Sequence, residues 1–421
     1  VWYTFSTTST VPGSNLQFVV TPNNGFSDYD FQMWETTGMG SYCSLIQTNP
    51  TSGTFPFRTC NYSAVGTTGL SSSAGGGFNP PYTLNATAGT VQTFVLLVSH
   101  FGNYAGGSTA GFTLNFPGTT PLNIGAPNVQ YWRPDAASTA WTPGTLSANW
   151  DPSCITTMGT CAGGPSTCVI QGGPNQPIIT ANTSVKNLII NAGATLTINA
   201  GITLSICGDL TVNGTLNCLA GSTVQFIGNA VQQMSGNLTG ISSFWNLTMS
   251  KSGGTLTPNA NVDIKGNFTL NTAAPTGQFI PNAKYFKVAG NWANNGGIAT
   301  HGVATGSTYE FNGAAAQTFT NLVNLVDLYN IKMNQSPAST LTLSVGAFND
   351  MNVTDSLVFT SGKIVTGVQK VYHKTNTSPG LVTIGNANSY VIGNLRRALN
   401  TGLQTWNFPL VYCLIARRSC P

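Results

Sequence analysis

Residues 185–218 read VKNLIINAGATLTINAGITLSICGDLTVNGTLNC, and this stretch decides the fold. Its apolar positions fall in short pairs around a polar middle: Leu188 and Ile190, Leu196 and Ile198, Leu204 and Ile206, Leu210 and Val212. A period of two puts the members of each pair on one side of an extended strand. Small turn residues such as Asn191-Ala192-Gly193 separate the triplets. Strands this short cannot bury a face alone. Stacked as coils of a parallel β-solenoid, they share one continuous core. The expected core ladder is Leu188, Ile190, Leu196, Ile198, Leu204, Ile206, Leu210 and Val212.

A longer repeat extends this reading. Gly221-Ser-Thr-Val-Gln-Phe226-Ile-Gly228 matches Gly306-Ser-Thr-Tyr-Glu-Phe311-Asn-Gly313, and Gln232 matches Gln317 at the same offset of 85. Phe244-Trp-Asn-Leu-Thr-Met249 then matches Leu328-Tyr-Asn-Ile-Lys-Met333 at an offset of 84. At roughly 20 residues per coil the unit would be about four coils. Phe226 and Phe311 join the expected core.

Residues 1–117 have a different texture. Alternating runs at Trp2–Phe5, Leu16–Val20, Tyr29–Trp34, Thr93–Val98 and Gly111–Phe116 are bounded by Gly, Asn, Pro or Ser, which predicts a β-sandwich. Residues 118–140, rich in Pro, Ala and Thr, read as a linker. The predicted organisation is therefore all-β. A sandwich over 1–117 and a linker over 118–140 precede a right-handed parallel β-solenoid over 141–409 and an atypical tail over 410–421.

Composition narrows the function. Of 421 residues only 6% are charged, against about 25% in an ordinary soluble domain, while 41% are hydrophobic. A typical cytosolic enzyme and a disordered tract are both disfavoured. The net charge of +4 is spread thinly; apart from Arg396-Arg397 and Arg417-Arg418 the basic residues are isolated. No basic stripe matches a phosphate backbone, so nucleic acid is not the expected partner. No apolar run is long enough for a membrane-spanning helix. The chain opens on a strand-like Val1-Trp-Tyr-Thr-Phe5, which reads as a processed product or a fragment. Nine cysteines in so uncharged a chain point to an oxidising setting outside the cell. Cys43 and Cys60 bracket one loop and are the expected disulfide. Cys154, Cys161 and Cys168 lack the CxxC pairing of a zinc site and are candidate staples for the solenoid's N-terminal cap. Spacing does not fix connectivity.

Motifs of catalysis are sparse. His100, His301 and His373 form no spaced metal motif, and the last two read as solvated. The solenoid's acids are few, with only Asp350 and Asp355 close in sequence, although stacking could still join acids one or two coils apart. Asp28 and Asp30, with Glu35 nearby, are candidates for binding Ca²⁺ as a cofactor; a structural role at a strand entry is the competing reading. Trp34, Tyr104 and Trp245 are candidate sugar-stacking aromatics.

The runs Asp28-Tyr-Asp30-Phe-Gln-Met-Trp34, Arg58-Thr-Cys60-Asn-Tyr-Ser63 and Gly111-Phe-Thr-Leu-Asn-Phe116 resemble the β-sandwich module of large secreted surface proteins of Bacteroidota. Pro177-Ile-Ile-Thr180 through Leu196-Thr-Ile-Asn199 and the Gly-Ser-Thr-Val-Gln-Phe units resemble the β-solenoid arrays of the same proteins, many exported by the type IX system. Neither a sorting domain nor that texture is visible after Phe408-Pro409. The resemblance implies an extracellular, non-enzymatic structural or adhesive protein, a subunit of a filament or surface fibre. Its partners would be further copies of itself, related surface proteins or glycans. A carbohydrate-binding adhesin and a β-helix polysaccharide-degrading enzyme are the alternatives.

Overall fold

Short runs of β-branched and aromatic residues alternating with Thr, Ser and Asn can bury one side of an extended chain and little else. A computed structural model describes residues 2–9, 14–23, 28–37, 57–62, 67–71, 78–84, 91–101, 111–116, 122–125, 129–132, 136, 138–141, 149–151, 167–271, 277–296, 305–322, 325–375, 383, 385–398 and 408–409. Among these the regular elements are strands, apart from one 3-10 turn at Gly240–Ser242. Two compact units result, Val1–Arg133 with Pro143–Thr157, and Pro134–Thr142 with Met158–Pro421.

The first unit is a sandwich. Its strands are β1 (Trp2–Ser9), β2 (Asn15–Leu16), β3 (Phe18–Pro22), β4 (Asp28–Glu35), β5 (Phe57–Asn61), β6 (Thr68–Leu70), β7 (Phe78–Asn79), β8 (Tyr82–Thr83), β9 (Val91–Phe101), β10 (Phe112–Asn115) and β11 (Leu122–Gly125). One sheet runs β11-β1-β9-β4-β5 with antiparallel neighbours, and a second runs β10-β3-β6-β7. Phe5, Phe18, Phe31, Met33, Phe94 and Leu96 fill the space between them. Phe18 meets Phe31 edge to face at 4.9 Å.

The segment expected as a linker contains structure. β11 pairs with β1, from Ser6 opposite Gly125 to Ser9 opposite Leu122, so the sandwich extends beyond residue 117. β12 (Val129–Trp132) pairs with β13 (Trp150–Asp151), and Trp132 meets Trp150 edge to face at 5.3 Å. Strand formers between the prolines override the turn-rich composition.

The second unit is a parallel β-solenoid of about nine turns. Its coils have three faces. Thr167–Ile170, Asn187–Ile190, Leu210–Val212, Gln232–Gly236, Thr255–Pro258 and Gln278–Phe279 stack as the first face. Ile178–Ile179, Thr195–Ile198 and Thr215–Cys218 begin the second. Past the 3-10 turn it continues through Val262–Ile264, Tyr285–Val288, Thr308–Phe311 and Asp327–Asn334 to Met351–Ser361. The third runs from Thr183–Val185 through Thr203–Ile206, Thr223–Gly228, Asn246–Lys251, Phe268–Leu270, Trp292–Asn294, Gln317–Asn321 and Thr340–Leu343 to Lys363–His373 and Val391–Arg397.

Register stacks like on like. Leu188 lies opposite Leu210, Leu196 opposite Leu216, and Ile206 opposite Phe226. All ten core positions expected from the sequence, Phe226 and Phe311 included, are fully buried. Further along, Trp292 stacks on Phe319 with ring centroids 4.4 Å apart. Asparagines tie one corner: the amides of Asn267, Asn291 and Thr318 donate to the side-chain oxygens of Asn246, Asn267 and Asn291 in turn.

The long repeat is out of phase with the coil. Register partners are 20 residues apart at Leu204–Val224 and 27 at Trp292–Phe319. The equivalent strands Thr223–Gly228 and Thr308–Phe311 lie on the third and second faces, so the unit advances three coils and two faces rather than four coils. Three similar sides let one local unit serve on any of them. Gln232 and Gln317 show the shared device. The amide of Gln232 donates to the carbonyls of Ile206 and Gly208, and that of Gln317 to Val288 and Gly290. Each thereby satisfies corner carbonyls of the preceding coil.

Candidate functional site

A ladder of four charged side chains on the solenoid follows from register. Asp263 lies opposite Lys287, Lys287 opposite Glu310, and Glu310 opposite Lys332, on successive coils of the second face. Charges of alternating sign thus stack along the axis. Lys332 Nζ is 3.3 Å from Glu310 and Lys287 Nζ 4.0 Å from Asp263. Glu310 is nearly enclosed: Asn334 donates to its Oε1 at 2.6 Å, and Tyr285 and Lys332 donate to Oε2. Burial pushes the Glu310 carboxyl up, but hydrogen bonds from Tyr285 and Asn334 and the Lys332 charge outweigh it and hold the group below its ordinary range. Burial and the hydrogen bond to Glu310 push the Tyr285 phenol upward.

This arrangement is poorly suited to acid–base chemistry. Asp263 and Glu310 are two coils apart, roughly 10 Å at the spacing of paired strands, with Lys287 between them. An inverting hydrolase needs open space for water between its carboxyls. Asp350 and Asp355 do not meet as a pair either. Asp350 is bridged by Lys370 Nζ at 2.6 Å, whereas Asp355 accepts from Ser356 and Asp327 holds Lys374. His373, expected to be solvated, is buried, with Nε2 2.6 Å from the Asp355 carbonyl; burial lowers its pKa. His100 packs edge-on against Tyr29 at 5.2 Å, and His301 lies outside the described residues.

In the sandwich, β4 carries three acids with opposite environments. Glu35, buried at one end, accepts from Arg58 Nε and Nη2, Tyr82, Gln92 and Thr37 at 2.8–3.1 Å. Burial would raise its pKa; those hydrogen bonds lower it below the ordinary value. Asp28 and Asp30, at the other end, face away from the core positions Tyr29, Phe31 and Met33. Burial raises the pKa of both; the His100 charge opposes this at Asp28, and the Asp28 charge adds to it at Asp30.

The expected Cys43–Cys60 bridge is not formed: Cys60 is a free thiol, and Cys43 lies outside the described residues. Cys60 sits within β5 opposite Gln32, where burial and the Asp30 charge raise its pKa and keep it protonated. Cys154 and Cys161 are outside the described residues; Cys168 is buried on the first face opposite Leu188. Cys207 is disulfide-bonded. Of the candidate sugar-stacking aromatics, Trp34 is fully buried and so offers no platform. Trp245 is half-buried across Gly266, where an added Cβ would come 3.1 Å from its Cδ1, and Tyr104 is outside the described residues. Among the described residues no group of three His, Cys, Asp or Glu side chains could hold a metal ion, and no helix is long and apolar enough to cross a membrane.

The partnerships of Glu35 and Glu310, and that of buried Lys251 with the Ala230 carbonyl and the Gln232 side chain, escape sequence reading because these partners, Thr37 aside, lie far along the chain. Only the repeat offers a signal, since Lys251 and Gln335 occupy equivalent places 84 residues apart.

These features define an all-β chain with a sandwich-like antiparallel unit and a parallel β-solenoid. No protein-family model matches it, and no curated protein or solved structure is significantly similar.

Proposed function

We propose that this chain is a non-enzymatic extracellular structural or adhesive protein, a self-assembling subunit of a filament or surface fibre. The observation that carries this reading is the charge ladder from Asp263 to Lys332, which neutralises itself along the axis of a solenoid with an unbroken apolar core. Such a surface has little like-charge repulsion to oppose lateral or end-to-end association. Apolar side chains add contact area for a neighbouring copy: Val345 and Val368 are 82% and 76% exposed on adjacent coils, with Leu322 exposed nearby. The end strand of a parallel stack also offers backbone groups for pairing with a second subunit. The resemblance to secreted Bacteroidota surface proteins supports placement outside the cell.

Negative-stain electron microscopy over a concentration series tests the proposal. Filaments with a regular axial repeat at high protein concentration are expected. Dispersed particles at every concentration would overturn self-assembly, and saturable glycan binding by those particles would favour the adhesin reading.

A further inference from the structure

We propose that Asp28 and Asp30 form a calcium site on the sandwich unit, completed by backbone carbonyl, hydroxyl and water oxygens. The contrast along β4 carries the inference. At one end, five hydrogen bonds saturate the single carboxylate of Glu35. At the other, two carboxylates share one side of the strand, Asp30 is 97% buried, and the Oδ1 atoms of both are buried with no hydrogen-bond partner. Two like charges on one side of a strand, each with a buried oxygen that no donor meets, are unfavourable unless they are protonated or a cation joins them.

No described basic side chain of this unit supplies that charge from the same side. Arg58 is committed to Glu35, and the exposed His100, packed on Tyr29 across the strand, acts on Asp28 alone and leaves the buried Asp30 uncompensated. Oxygen donors are at hand, since Asp30 is opposite Ser99 on β9 while Gln32 follows two residues along β4. Calcium fits this chemistry. It takes six to eight oxygens, carbonyls and waters among them, and needs only a few carboxylates. Zinc needs three or four nitrogen, sulfur or carboxylate ligands, and no such set is present among the described residues. The cation would neutralise the pair and brace the start of β4. It does not depend on self-assembly.

Terbium(III), a luminescent stand-in for calcium, provides the test on the full chain. Trp34, four residues from Asp30 on the same side of β4, can sensitise its emission. Saturable emission is expected, displaced by Ca²⁺ with a half-effect at about 0.1–1 mM, the range of extracellular modules. The double variant D28N/D30N should lose that emission about tenfold or more, because affinity follows the ligand charge count. In chelator its melting midpoint should equal or exceed that of the parent, which shows that the loss is not unfolding. Absence of saturable emission in the parent chain would overturn the site, as would undiminished emission from D28N/D30N. A parent melting midpoint that is the same in millimolar Ca²⁺ and in chelator would overturn it without any variant.

Discussion

Glu35 shows how much one side chain can organise in a chain with so few charges. Its five donors come from β5, β8, β9 and the residues just after β4, so it fastens three strands and a turn to one point. Glu35→Gln keeps the shape but turns a charged acceptor into a neutral one and brings its own NH₂ against those donors. We expect a loss of about 1.5–3 kcal/mol in urea unfolding, the range for hydrogen bonds to a charged group. The pH dependence has a definite sign. The folded pKa of Glu35 lies below its ordinary value, so its contribution is present above about 4.5 and lost as pH falls through the folded value. The acid limb of the parent's stability profile should therefore flatten in Glu35→Gln. Lys251 makes the complementary case. Fully buried, it donates to the Ala230 carbonyl and the Gln232 side chain, and burial lowers its pKa to about 8 despite the opposing Asp209 charge. In the other repeat Gln335 donates to Gln317 in the same place. Lys251→Gln should accordingly fold. Between pH 8 and 10 the unfolded chain binds the proton that folded Lys251 releases, so this group adds stability as pH rises. That increment should be absent from the variant and therefore appear as a rise in the difference between parent and variant melting profiles.

At the scale of strands and turns, the sequence was legible where the signal was local. Leu196-Thr197-Ile198 declares its inward and outward positions by itself, and Leu196 and Ile198 are buried with Thr197 half-exposed between them. The region read as a linker failed because β11 is only four residues long and earns its place by pairing with β1, more than a hundred residues earlier. Turn chemistry is equally local but varies in consequence. Gly193 and Gly236 both have left-handed φ, at 77° and 87°. A Cβ on Gly193 would meet nothing within 4 Å, whereas one on Gly236 would lie 2.1 Å from the Val212 carbonyl oxygen of the preceding coil. Gly193→Ala should cost only the left-handed penalty of about 1–2 kcal/mol. Gly236→Ala should cost more, because backbone of an adjacent coil must move. Urea midpoints of the two variants, measured side by side, check the ordering.

Over the molecule, what composition announced was restraint in charge, and what it hid was arrangement. Asp263, Lys287, Glu310 and Lys332 are scattered singly through some seventy residues, and only register lines them up. Asp28 and Asp30 were visible as neighbours on one side of a strand, but that an oxygen of each is buried without a donor depends on packing that a local pattern does not display. The fractional phase of the repeat has a geometric consequence. A unit that spans three coils and two of three sides acts as a screw thread. Each added copy would lengthen the solenoid by roughly 18 Å at the spacing of paired strands, and would turn everything beyond it by about a third of a revolution. Length and heading are thereby coupled: copy number would set which way the far end points as well as how far it reaches.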